Sequence, residues 1–234
     1  MRGDSRSLLL LAAAVTFVAW QIPYGGYVLY PFTVLAVYAH EMGHGLTAML
    51  VGADFLKLEL FVNGGLATWR GDVGRLGQAL IAAGGLIGPS LAGAGLLMVS
   101  RRAARAPIIL AVLGGLIGLS TVLFASGAFA LLFTALTATA CLAVARKAPK
   151  AAPFVLQLLG VQLCIALFRD VHYMFSEGGT LGGVQHASDT AAIAEALFLP
   201  YWFWGGLIAA TSFAILVGGL YRALRPLPTP ASRA

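Results

Sequence analysis

The sequence predicts an all-α polytopic membrane protein with a short β-hairpin inserted after one of its helices. Three observations carry that reading. Of the 234 residues, 59% are hydrophobic and only 10% are charged, against roughly 25% charged in a soluble domain; mean hydropathy is +0.88. Apolar runs recur at the length of a bilayer crossing, enough for about six to seven helices of about 20 residues each. One stretch, residues 53–74, breaks the helical pattern and alternates with the period of a strand.

Each element has a local justification. Arg2 and Arg6 precede the apolar run 8–20 in the manner of a signal peptide, but no small-x-small cleavage site follows at a suitable distance, so 7–22 reads as an uncleaved first helix. Pro23, Gly25 and Gly26 break it. The second span, 27–50, ends at Gly52. In 53–74, Leu56, Leu58 and Leu60 alternate with Lys57 and Glu59, Asn63-Gly64-Gly65 supplies a turn, and 66–70 reads as the return strand. The third span, 76–99, contains Gly84-Gly85-Leu86-Ile87-Gly88-Pro89, whose Gly84 and Gly88 permit close helix approach. The letters Gly-Gly-Leu-Ile-Gly recur at 114–118, too short a match to define a repeat. Residues 106–145 form a hairpin of two spans turning near Ser126-Gly127, and 153–175 is the next span. Four glycines make 176–188 read as a flexible loop. A helix starts at Ser188 or Asp189 and runs to about Leu199, and Pro200 breaks it. The last span is 201–224, with Tyr201, Trp202 and Trp204 as interface anchors. The tail 225–234, with three prolines, reads as disordered.

The net charge of +6 sits mainly in the short connections: Arg101, Arg102 and Arg105; Arg146, Lys147 and Lys150; Arg222 and Arg225. That distribution suits the lipid bilayer, setting topology and meeting anionic headgroups. No basic run with interleaved aromatics occurs, so nucleic acid is not an expected partner. The three C-terminal clusters fall on one side, which the positive-inside rule makes cytoplasmic, although Arg2 and Arg6 then fall outside. Ala- and Gly-rich spans with Arg preferred over Lys suggest a multi-pass protein of a bacterial cytoplasmic (inner) membrane. Cys141 and Cys164 lie in apolar runs without a Cys-x-x-Cys pairing and read as small buried hydrophobes.

Chemistry concentrates in the second span. His40-Glu41-Met42-Gly43-His44 reads His-Glu-x-x-His. Two His four residues apart share one helix face, so both imidazoles can reach a single Zn²⁺, and the intervening Glu41 can act as general base toward an activated water. Such groups are costly inside a membrane, so their default reading is functional. Catalytic zinc takes three protein ligands and leaves one position open. The nine acids and the two remaining His bound the search for the third. Asp4 lies in the N-terminal tail; Asp54, Glu59 and Asp72 fall in the hairpin region, Glu177 in the glycine-rich loop, and Glu195 on a different helix face from Asp189. Asp189, at a helix start, and Asp170, beside Arg169, are the strongest candidates, followed by His172 and His186.

These residues carry a family resemblance. Ala39-His40-Glu41-Met42-Gly43-His44-Gly45, the Gly-rich hairpin, Gly84–Ser90, and Ser188-Asp189-Thr190-Ala191-Ala192 followed by Pro200 and Trp202/Trp204 resemble the site-2 protease group of intramembrane metalloproteases, most closely its small M50B-like branch. The resemblance spans 27–204. It implies one transmembrane metalloprotease-like domain over 1–224, with 53–74 as an insertion, and a zinc ion held by His40, His44 and Asp189. It also implies Glu41 as the base and a transmembrane protein as substrate, and it leaves room for a regulatory membrane partner. The chain departs from the best-known members in lacking both a Leu-Asp-Gly element and an upstream Asn-Pro element. The rival reading is a non-proteolytic membrane protein, either a metal transporter or a degenerate protease scaffold. Transporters usually spread ionisable groups over several spans near the midplane, whereas here they gather in one motif.

Overall fold

The computed structural model describes residues 5–169, 171–181 and 184–225. Asp170 and the tail from residue 226 onward lie outside the described residues. The chain opens with α1 (Ser5–Gln21) and the motif helix α2 (Gly25–Leu50), followed by β1 (Asp54–Phe61), β2 (Gly64–Arg70) and α3 (Gly74–Val99). A single 3-10 turn (Ala103–Arg105) leads into α4 (Ala106–Phe124), a two-residue strand β3 (Ala125–Ser126) and α5 (Ala128–Lys147). Then come α6 (Ala152–Arg169), the one-turn α7 (Val171–Met174), β4 (Gly178–Leu181), β5 (Val184–Ala187), α8 (Asp189–Leu197) and α9 (Tyr201–Leu224). Among the described residues five helical segments are long and apolar enough to cross a membrane: α3, α4 with its leading turn, α5, the segment beginning with α6, and α9. Helix α1 is shorter, and α2, at 26 residues, has the length, but its two His and one Glu lower its apolar character.

Helix α3 is the hub and packs against α2, α6, α8 and α9. Its contact with α2 is backbone on backbone. A β-carbon at Gly43 would overlap the Gly84 carbonyl oxygen, and one at Gly88 would stand 2.8 Å from the Ala39 carbonyl oxygen. Small residues at such crossings let van der Waals packing hold helices together where lipid supplies no hydrophobic drive. A second cluster joins Leu35 and Ala36 of α2 to Leu110 of α4, Cys141 of α5 and Leu156 of α6. A third ties Leu9 and Ala12 of α1 to Leu97, Cys164 and Ala223. Both cysteines are buried, as expected of small apolar fillers.

The hairpin forms with two differences from its sequence reading. The turn is Val62-Asn63, because Phe61 pairs with Gly64, so Gly64 and Gly65 belong to β2. A register shift between Phe55 and Lys57 also changes the strand's phase. A bulge inserts one unpaired residue and flips every later side chain to the other face. Phe55, Leu58 and Leu60 therefore point inward onto Val34 of α2 and Ala130 of α5, while Leu56 is 43% exposed. Strand β3 joins the other side of β1 in parallel, giving the order β2-β1-β3 and fastening the α4–α5 turn to the hairpin. The glycine-rich stretch expected to be a flexible loop is a second antiparallel hairpin, with Gly178 paired to Ala187 and Leu181 to Val184.

The bulge makes a stability test. Leu58→Ala empties a position that is 1% exposed and should cost about 2–4 kcal/mol in reversible unfolding of the detergent-solubilised protein. Leu56→Ala should change stability by less than about 0.5 kcal/mol. A strand without the bulge would make the two costs similar.

Candidate metal centre

Helical geometry brings His40 and His44 together on α2, their Nε2 atoms 3.0 Å apart. The His44 Nδ1 lies 2.8 Å from the Ile81 carbonyl oxygen on α3. A carbonyl only accepts, so Nδ1 carries the proton, and when the ring is neutral its Nε2 presents a lone pair. This contact depends on the close α2–α3 crossing. Gly85 sits directly against the His44 ring, where a β-carbon would overlap the imidazole.

Asp189 is the first residue of α8. Its Oδ2 lies 3.0 Å from His40 Nε2 and its Oδ1 3.3 Å from His44 Nε2. The helix start does not consume this carboxylate. Ser188 is the N-cap: its hydroxyl, itself buried, accepts from the Ala191 N–H at 3.2 Å and donates to the Ser176 carbonyl. With the cap filled by serine, the aspartate side chain is free to face the two imidazoles. The other end of α8 is held by Arg75, whose Nε donates to the Ala196 carbonyl at 2.8 Å.

The donor set fits a metal ion. One ligand atom from each of His40, His44 and Asp189 lies within 4.8 Å of the others. Tetrahedral ligands about 2.0–2.1 Å from a zinc ion stand about 3.3 Å from one another, close to the 3.0 Å between the two imidazole nitrogens and the 3.0 and 3.3 Å from them to the two carboxylate oxygens. With the imidazoles neutral, their lone pairs and the carboxylate are all acceptors, and a shared cation satisfies them together.

Glu41 is buried at the same place, with a hydrogen bond from the Ala67 backbone on β2. The backbone of β2 runs closely over it, since a β-carbon at Gly65 would stand 2.6 Å from Glu41 Cγ. These groups line a cavity of about 730 Å³ that also takes in Asn63, Leu66 and Trp69 from the first hairpin, and Thr180 and His186 from the second.

The other candidates separate clearly. His186 and Glu195 line the cavity outside the three-residue cluster. His172 is exposed on α7, Glu177 is exposed, Glu59 pairs with Lys57 at 2.7 Å, and Asp72 accepts from the Gly74 N–H. One cavity residue had no signal in the sequence: the Tyr173 hydroxyl lies 3.3 Å from Asp189 Oδ2.

The family profile described as Peptidase M50B-like matches residues 8–219, from α1 into α9. The chain belongs to the peptidase M50B-like family. Searches of curated proteins and of solved structures returned no match. The M50B-like match takes in both halves of the centre, the His-Glu-x-x-His helix and the start of α8, which lie almost 150 residues apart in the chain.

The glycine contact yields a prediction for this candidate centre. Gly85→Ala places a methyl on the His44 ring and should lower zinc affinity by about 10–100-fold, the usual cost of disturbing a ligand's support. Gly95→Ala, on the same helix with open space around it, should bind as wild type. Competition with a chromophoric chelator measures both.

Proposed function

We propose that this protein is an intramembrane zinc metalloprotease that hydrolyses a peptide bond of a membrane-embedded protein. The observation that supports it most is the convergence of His40, His44 and Asp189 next to a buried, intact Glu41. Two His and one carboxylate are a donor set that suits zinc and leaves a position open. When bound there, zinc supplies Lewis-acid activation of water and of the substrate carbonyl. Glu41 accepts the proton that the attacking water loses and returns it to the amide nitrogen as that nitrogen leaves, producing a carboxyl and an amine terminus. Burial under β2 keeps Glu41 out of bulk water and aimed at the cavity.

A transmembrane helix hides its carbonyls in its own hydrogen bonds, so the substrate must unwind where it is cut. The order β2-β1-β3 makes β2 an edge strand, and the cavity runs along it from Asn63 to Trp69. An unwound segment added to that edge would regain backbone hydrogen bonds while its scissile carbonyl lies over the metal. The substrate reaches the site from the bilayer. On composition we place the protein in a bacterial cytoplasmic membrane, where a membrane partner is able to control access.

Glu41→Gln tests the reading. It should retain zinc and lower cleavage of a transmembrane reporter in liposomes by at least about 100-fold, whereas Asp189→Ala should lose the metal. Full cleavage by Glu41→Gln would overturn the proposal. Zinc binding by a wild type that cuts no reporter would favour a transporter or scaffold. Reporters with Gly-Pro at mid-span should be cut faster than all-Leu reporters, because they unwind at lower cost.

A further inference from the structure

We infer that Tyr173 is a positioning residue for the metal, fixing the Asp189 carboxylate so that its two oxygens stay turned toward His40 and His44. This rests on the zinc reading above and adds a residue to it.

The phenol meets Asp189 twice. Its oxygen accepts from the Asp189 backbone N–H at 3.3 Å, and its proton goes to Asp189 Oδ2, also at 3.3 Å. Donor and acceptor capacity of the hydroxyl are thus both spent on one residue. The ring stands edge-on to His40, centroids 6.3 Å apart at 72°. A single side chain therefore touches two of the three residues of the cluster.

The support behind it is rigid. The next residue, Met174, is 1% exposed and packs with Leu86 of α3, Ile193 of α8 and Ile208 of α9. The backbone of α9 abuts it, since a β-carbon at Gly205 would overlap the Met174 carbonyl oxygen. The same cluster that seats α8, and hence Asp189, seats α7, and hence Tyr173. The phenol and the carboxylate it holds therefore keep a fixed relation.

The chemistry follows from counting oxygens. A carboxylate that gives one oxygen to a metal retains charge on the other. Without a donor, the carboxylate can turn about its Cβ–Cγ bond and take Oδ2 away from His40 and Oδ1 away from His44. An O–H donor to Oδ2 opposes that rotation and keeps the carboxylate aimed at the two imidazoles. Ser188 cannot serve, because its hydroxyl is committed to Ala191 and Ser176. Among the described residues Tyr173 is in position to do so.

The test is Tyr173→Phe in the full-length protein, which keeps the ring on His40 and removes only the hydroxyl. Zinc affinity, read by chelator competition, should fall about 10–100-fold, with the melting temperature of the metal-free protein unchanged. With cobalt in place of zinc, the visible absorption should change in position and intensity, because a carboxylate free to rotate alters the geometry around the metal. Zinc affinity and cobalt spectrum matching wild type would overturn the inference, as would a loss of affinity fully accounted for by a lower melting temperature. Asp189→Ala and wild type run alongside. If these two bind zinc equally weakly, the metal reading itself falls and takes this inference with it; if they differ and Tyr173→Phe matches wild type, only the inference falls.

Discussion

The approach of α2 to α3 is the constraint on which the candidate metal centre rests. Gly43, Gly84, Gly85 and Gly88 remove the side chains that would keep the two backbones apart. With that spacing the His44 ring reaches the Ile81 carbonyl, which fixes its proton on Nδ1 and turns the other nitrogen toward His40 and Asp189. A bulkier residue at any of these positions would alter more than a packing contact. It would change the orientation of an imidazole, and with it the site's capacity to bind.

The same bundle must also carry polar groups through apolar surroundings. It gives several of them partners within the protein. Tyr38 and Ser120 share a hydrogen bond of 2.6 Å across α2 and α4, and Gln162 of α6 donates to Thr16 of α1 at 2.9 Å. The two hairpins extend this principle to the backbone. Irregular chain at membrane depth is tolerated where it faces protein or a water-filled cavity rather than lipid, and both hairpins contribute to the lining of the cavity over the metal centre.

Much of this was legible in the sequence. Helix positions followed from the length of the apolar runs and their Pro, Gly and Arg boundaries, and the His pair from its four-residue spacing. The first hairpin followed from a two-residue alternation, but its phase did not. A bulge is a matter of pairing geometry, and nothing in Asp54–Phe61 marks Leu56 as the residue that turns outward. The second hairpin was hidden because glycine reads equally as freedom or as close strand contact. Asp189 and Asp170 were not separable by spacing, since long-range juxtaposition depends on how α3, α8 and α9 pack; the structure places Asp189 beside both His, and Asp170 lies outside the described residues. Tyr173 left no local trace, being an ordinary aromatic near a helix end.

The serine before Asp189 has a consequence of its own. Helix initiation and coordination draw on the same chemical resource, an oxygen lone pair at the start of α8, and Ser188 settles the competition by answering the first demand. Remove that hydroxyl and the neighbouring carboxylate becomes a candidate, beside the Thr190 hydroxyl, to satisfy the free amide, so a position that contacts no metal would govern how much of the protein is able to hold one. Selection on residue 188 would then resemble selection on the centre itself, and a survey of variants by phenotype alone would mistake a helix starter for a ligand.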